Sequence, residues 1–164
     1  MSTALPLRVG TGYDSHRFGV GGPMRLGGID IPADMHCAGH SDGDAICHAV
    51  TDALLGAAAL GDIGEMFPDT DAANKGKDST VMLSAAVALL HHAGWRVGNV
   101  DITVVTQRPK IGPHRAAIRA RLAKLLEVAD SDVFVKGKTN ELMGWIGREE
   151  GLAVMATATV LPRR

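Results

Sequence analysis

The spacing of apolar residues along the chain alternates in some stretches and is helical in others, and this divides it into strands and helices in roughly equal measure. Leu7–Tyr13 predicts a first strand. Met24–Ile31 predicts a hairpin turning at Gly27-Gly28, a pair favoured in two-residue hairpin loops. A helix of small apolar residues follows over Asp44–Leu60, then a polar loop over Gly61–Lys77. Ser79–His92 predicts a second helix stopped by Gly94 as its C-cap. Val81, Met82, Leu83, Val87, Leu89 and Leu90 surround most of its circumference, so heavy burial is expected. Val97–Thr106 alternates around Val100, Ile102 and Val104 and predicts a strand. Pro113–Ala129 predicts a third helix, with Ile118, Leu122, Leu125 and Leu126 as its apolar stripe. Val133–Lys136 and Leu152–Leu161 predict two further strands, the last with small residues (Ala153, Ala156, Ala158) that point to a close neighbour such as another subunit. One sheet face is well supplied with helices, which implies an α+β fold built as a two-layer α/β sandwich.

Composition narrows this picture. The 164 residues fit one domain spanning 1–164, with a single core and no repeat or linker. Aromatics are only 4% while Gly reaches 20 residues, so the core is built from Ala, Val, Leu and Ile with close backbone approaches. A net charge of −1 argues against nucleic acid or an anionic membrane as the main partner. Arg115, Arg119, Arg121 and Lys124 form the one basic cluster, and their helical spacing predicts a solvated face. There is no basic leader followed by an apolar stretch and no apolar run of membrane-spanning length, so a cytoplasmic protein is expected. Cys37 and Cys47 lie in no C-x-x-C pattern and are expected to be reduced thiols.

The densest chemistry lies in His40-Ser41-Asp42-Gly43-Asp44-Ala45-Ile46-Cys47-His48, which opens the first helix. Asp42 or Ser41 can cap that helix, and His48 one turn in would be flanked by Asp44 and Asp52 at i−4 and i+4. The plainer alternative is a capped helix with a surface histidine. Asp14 and His16, two apart at the end of a strand, project to the same side. Joined by His48, they form a carboxylate–bis-imidazole set suited to Zn²⁺, Mn²⁺ or Fe²⁺ with a fourth position open. Asp44 or a backbone carbonyl could hold the second N–H of a ligating imidazole. Three further stretches are either ordinary connections or binding loops: Gly61–Asp71, Thr106–Pro113, and Lys136–Glu141 with Trp145 and Arg148 just beyond.

Asp14-x-His16, His40-Ser41-Asp42-Gly43-Asp44 with His48, Asp62-Ile63-Gly64, Phe67-Pro68-Asp69-Thr70-Asp71 and Thr139-x-Glu141 through Gly147-Arg148 occur in order. Together with Leu54–Gly64 they resemble the 2-C-methyl-D-erythritol 2,4-cyclodiphosphate synthases of the non-mevalonate isoprenoid pathway, over nearly the whole chain from Arg8 to Leu161. The resemblance implies a homotrimer whose subunits each carry a four-stranded mixed sheet with helices on one face, and whose active sites lie between neighbours. It implies conversion of 4-diphosphocytidyl-2-C-methyl-D-erythritol 2-phosphate to the cyclic diphosphate with release of CMP. Asp14, His16 and His48 match the zinc ligands of the family, and Glu141 matches a ligand of a second divalent ion, Mg²⁺ or Mn²⁺. His40 and Thr139 match positions credited with transition-state stabilisation. Substrate contacts carried over are Asp14, His16, His40, Ser41, Asp62, Ile63, Gly64, Phe67, Pro68, Asp69, Thr70, Asp71, Trp145 and Arg148. Thr106, Lys110, Ile111, Gly112, Lys138, Thr139, Asn140 and Glu141 correspond to the cytidine pocket. An isoprenoid diphosphate on the threefold axis, near Arg148, is a further implied ligand.

Lys138 and Asn140 depart from a threonine-rich run frequent in the family, and Glu149 replaces a frequent Gly. Lys138 could add a phosphate contact, while Glu149 is expected to face solvent. Two rival functions use the same residues. One is a metal-dependent nucleotide phosphohydrolase, and the other a non-catalytic trimer that binds nucleotides or isoprenoid diphosphates.

Overall fold

The computed structural model describes residues 7–164. In chain order the elements are β1 (Arg8–Val20), β2 (Met24–Leu26), β3 (Ile29–Ile31), β4 (Met35–Cys37), α1 (Ala45–Ala58), α2 (Ile63–Met66), α3 (Ser79–His92), β5 (Trp95–Val105), α4 (Arg115–Leu126), β6 (Val133–Lys138), α5 (Gly144–Gly147) and β7 (Gly151–Pro162). The main sheet runs β4-β1-β7-β5-β6, mixed because β5 and β6 are parallel while the other pairs are antiparallel. The expected α+β class holds, but the sheet has five strands where four were expected. The fifth is β4, only three residues long. It pairs with Phe18–Val20 because β1 continues well past Tyr13. That extension carries Ser15, Arg17 and Gly19, so no run of apolar alternation announces it.

The β2–β3 hairpin turns at Gly27 and Gly28, both with positive φ (62° and 76°), the conformation a two-residue turn of this kind requires. Glycine also decides how the layers meet. A Cβ on Gly12 would lie 1.9 Å from the Ala49 carbonyl oxygen, and one on Gly10 would lie 2.1 Å from that of Ala53. The strand's period of two thus meets the helix's period of four, and α1 lies directly on β1. Ala156 and Ala158 are buried on the same side, where α1 also crosses β7, so the close neighbour of these small residues is a helix of their own chain.

Helix α3 buries Met82, Leu83, Ala86, Val87 and Leu90 but leaves Val81 53% exposed. Its apolar surface is therefore wider than its core contact. Helix α4 packs its stripe as expected, with Ile118, Leu122 and Leu126 fully buried. Its basic face is less solvated than expected. Arg115 and Arg119 donate from Nε to the Val135 and Val133 carbonyls of edge strand β6, at 2.8 and 2.7 Å, and both guanidinium groups lie over the Phe134 ring. The sheet face away from the helices exposes Val9, Tyr13, Met155 and Phe134. Tyr13 and Met155 are register partners, so these side chains form one patch across β1 and β7.

Candidate metal centre and nucleotide pocket

Because α1 sits so close to β1, His48 in its first turn reaches the two side chains that β1 presents beneath it. Asp14 Oδ2 lies 3.1 Å from His48 Nδ1 and 3.1 Å from His16 Nδ1. All three ligand atoms fall within 4.8 Å of one another. Ligands about 2.0 Å from a tetrahedral Zn²⁺ are separated by ~3.3 Å, so the cluster is already near the size such an ion needs. His16 Nδ1 is buried and, despite its distance from Asp14, makes no hydrogen bond. A buried imidazole nitrogen without a partner is costly; a cation between these three groups would satisfy it. Among the described residues this is the one cluster with metal-ligand geometry.

The electrostatics point the same way. Burial raises the Asp14 carboxyl, but the neighbouring His16 and His48 rings outweigh it and hold the group below its usual 3.8. Burial lowers His48, and the Asp14 carboxylate more than compensates, so that imidazole is held above 6.5. Both directions mark a site that attracts positive charge.

Asp44 is neither the flanking carboxylate nor the imidazole acceptor that the sequence predicts. It is fully buried and is itself the α1 N-cap, accepting from Cys47 N–H at 3.0 Å. Its remaining capacity goes to the hairpin turn, with Gly27 N–H at 2.8 Å and Gly28 N–H at 2.7 Å. Three backbone donors balance its buried charge, which leaves nothing for His48. Asp42 and Ser41, the caps expected, instead join a network around His48. Ser41 Oγ lies 3.0 Å and Ser79 Oγ 2.8 Å from His48 Nε2, and Asp42 accepts from the Ser79 hydroxyl. At the other flank, Asp52 accepts from Ile63 N–H at 2.8 Å and ties the start of α2 to α1.

A cavity of about 470 Å³ opens over the cluster. It gathers Asp14, His16, His40, Ser41, His48, Ile63, Gly64, Phe67, Pro68, Asp69 and Thr70 from the sequence-predicted set. Asn74 and Met82 also line it; they were missed because each looks like ordinary loop or core. Asp62 and Asp71 are placed beside it as caps, accepting from Glu65 N–H and Ala73 N–H. The Gly61–Lys77 stretch is thus a folded wall, carrying α2 and a short 3₁₀ turn at Ala72–Asn74. It is fastened to the His40 segment through Gly76 N–H to the His40 carbonyl at 2.8 Å.

A second cavity, of about 390 Å³, gathers Thr106, Lys110, Ile111, Gly112, Lys138 and Thr139. Pro109, Pro113, Arg115 and Gly137 complete it, and its three cationic side chains suit an anionic ligand. Asn140 and Glu141 adjoin it: Asn140 N–H donates to Gln107 at 2.8 Å, and Glu141 N–H to Thr139 Oγ1 at 3.3 Å. Glu149 does not simply face solvent. At φ 59° it occupies the left-handed region, and its carboxylate meets the Arg108 guanidinium at 2.7 and 2.9 Å. Trp145 lies on α5 and is 39% exposed, while Arg148 pairs with Glu150 at 3.1 Å.

The chain keeps the two cavities apart. Register places Ser15 opposite Ala153, Ala153 opposite Val105, and Val105 opposite Lys138. Three strand spacings therefore separate the β1 side chains from Lys138, about 14 Å.

Fold and site define an α+β domain with a three-residue candidate metal centre and a separate cationic pocket. The model of the YgbB family matches residues 7–161, and the chain belongs to that family. It is 82% identical over 158 residues to the 2-C-methyl-D-erythritol 2,4-cyclodiphosphate synthase of Gemmatimonas aurantiaca, covering 96% of this chain and 95% of that one. Among solved structures, the bifunctional IspDF of Campylobacter jejuni superimposes with a TM-score of 0.92 at 39% identity, with 95% of this chain on 42% of that one. The CDP complex of IspF from Plasmodium falciparum superimposes with a TM-score of 0.85 at 34% identity, covering 99% of this chain and all of that one. No helix among the described residues is long and apolar enough to cross a membrane.

Proposed function

We propose that this protein performs the reaction for which its relatives are named: closure of 4-diphosphocytidyl-2-C-methyl-D-erythritol 2-phosphate into 2-C-methyl-D-erythritol 2,4-cyclodiphosphate. The observation that carries this is the Asp14–His16–His48 cluster under a cavity also lined by His40 and Ser41, in a chain 82% identical to a named synthase. An oxygen of the 2-phosphate bonds to the β-phosphorus, the bond from that phosphorus to the bridging oxygen breaks, and CMP leaves with the electron pair. The attacking phosphate is ionised near neutral pH, so no general base is needed. The difficulty is bringing anions together, and the residues address that by positioning and neutralisation.

Asp14, His16 and His48 would hold Zn²⁺, which when bound supplies Lewis-acid neutralisation of phosphate oxygens. His40 and Thr139 donate hydrogen bonds where charge builds. Lys110 and Lys138 bind the nucleotide phosphates, and the Thr106–Gly112 loop receives the cytosine. Glu141, beside the second pocket, would be the protein's ligand to a second divalent cation, Mg²⁺ or Mn²⁺, which when bound would neutralise diphosphate charge.

His40 and Thr139 line different cavities of the same chain. This supports a homotrimer in which one subunit lends the metal half of each site and its neighbour the nucleotide half. The exposed patch of Val9, Tyr13 and Met155 is a surface for that assembly, with an isoprenoid diphosphate near Arg148 on its axis. Buried, unpaired Cys37 and Cys47 suit a one-domain protein of the reducing cytoplasm.

The test is ³¹P NMR of the substrate with purified protein, with metal and with chelator. Coupled cyclic-diphosphate signals appearing with CMP only when metal is present is the expected result. CMP with an open-chain phosphate would replace the reading with a hydrolase.

A further inference from the structure

His48 is held from behind by an arrangement whose proton positions can be deduced. The Ser79 side chain is fully buried at the first position of α3, and its hydroxyl has one proton to give. Its two closest side-chain neighbours are Asp42 Oδ1 and His48 Nε2. Asp42 also accepts from the backbone N–H groups of Ser79 at 3.1 Å and Asp44 at 3.2 Å, so both its oxygens face donors. The Ser79 hydroxyl donates to Asp42 Oδ1, which commits its one proton there. Ser79 Oγ can then serve His48 only as an acceptor, so the contact at 2.8 Å requires a proton on Nε2. With Nε2 carrying that proton, the nitrogen left for a cation is Nδ1, which in the metal-free protein meets Asp14 Oδ2 at 3.1 Å.

We infer that Ser79 and Asp42 form a positioning relay for His48: the Asp42 carboxylate orients the Ser79 hydroxyl, which holds the imidazole in the tautomer and rotation that present Nδ1 to a divalent cation. The inference rests on the metal reading given above and adds two residues to it. Neither touches the cation or the substrate. A ligating histidine whose far nitrogen is held by a hydrogen-bonded partner binds metal more tightly, and losing such a partner typically costs 10–100-fold in affinity. The relay also joins separate elements, since Asp42 precedes α1 and Ser79 opens α3, so it registers the two helices where they meet the site. Ser41, 3.0 Å from the same Nε2, has its Oγ 3.3 Å from the Gly43 N–H it accepts; it is the weaker partner and stays free to turn its own proton to the cavity.

The experiment combines histidine ¹⁵N NMR with zinc affinity by chelator competition, on the full chain. In the zinc-loaded wild type, His48 should carry its proton on Nε2, with that proton protected from exchange. Ser79→Ala should lose the protection and bind zinc 10–100-fold more weakly, and Ser79→Thr should restore most of the affinity. A zinc-loaded wild-type His48 with its proton on Nδ1, or a folded Ser79→Ala protein binding zinc as the wild type does, would overturn the relay. Failure of the metal reading looks different: the folded wild type would bind no zinc at all.

Discussion

Gly12 lies directly beneath the carbonyl of Ala49, with room for hydrogen but not for a methyl group. This contact sets the height of α1 above the sheet, and His48 is the residue immediately before Ala49. The metal cluster therefore depends on a glycine that touches none of its ligands.

Gly12→Ala places a carbon 1.9 Å from a backbone oxygen, and a strand and a helix must part to relieve it. Overpacking of this kind costs ~3 kcal/mol. The expected outcome is a lowered melting temperature together with weakened zinc binding, measured on the same sample. Loss of stability with zinc affinity unchanged would show that α1 tilts without moving His48.

The acid–base pair beneath α1 gives the metal-free protein a defined pH window. Asp14 is held below 3.8, so its contribution to stability is present above that value and is lost as pH falls through its lower folded pKa. His48 is held above 6.5, so its contribution is full below 6.5 and fades as pH rises through its folded value. Zinc needs the unprotonated imidazole, so its stabilisation should grow over the range where the pair's own contribution fades. Thermal melts with chelator and with zinc across pH 4 to 9, a range of about five units, read both trends. A zinc-induced shift that shrinks with rising pH would contradict the assignment of His48.

The proposed division of one site between two chains of a trimer has an arithmetical signature. His48→Ala removes the metal half and Thr139→Ala the nucleotide half, and each homotrimer should be inactive. Co-expressed and randomly assembled in equal amounts, the two should recover about a quarter of wild-type activity, because one in four subunit contacts joins two intact halves. No recovery from verified mixed trimers would return both halves to a single chain.

Burial pushes the Cys37 thiol up to about 12, with Asp44 and Asp14 adding to it, and burial likewise raises Cys47. Below pH 9 the thiols are neutral in both the folded and the unfolded chain; above it the unfolded chain ionises first, so stability should fall as pH climbs. Alkylation at mildly alkaline pH, followed by mass spectrometry, should label neither cysteine in the native protein and both in denaturant. Rapid native labelling of Cys37 would mean that the β4 edge opens.

How much of this could be seen in the sequence follows from the range of each signal. Asp14 and His16 were legible because two residues on one strand share a face whatever the fold. The third ligand, His48, was named for its residue type and placed only by the fold, since nothing local brings it to Asp14, 34 positions earlier. Ser79 was invisible for a related reason: a serine opening a helix looks like a cap, and its partner lies 31 positions away. Asp44 was misassigned because its three backbone donors are supplied partly by a hairpin whose position only the fold determines. Helix α3 matches its expected bounds, and α1 and α4 fall within three residues of theirs at each end, as long periodic segments should. The polar wall over Ile63–Asn74 was not, because its short turns are held by Asp62 and Asp71 caps rather than by any apolar pattern.

The guanidinium groups of Arg115 and Arg119 occupy two carbonyls that edge strand β6 would otherwise offer to a passing chain. Growth by strand addition is thereby discouraged at this margin. In the proposed assembly the broad face packs around an axis and closes after a fixed number of copies, so the same residues that look like a basic helix surface guard the β6 edge against open-ended, fibrous growth.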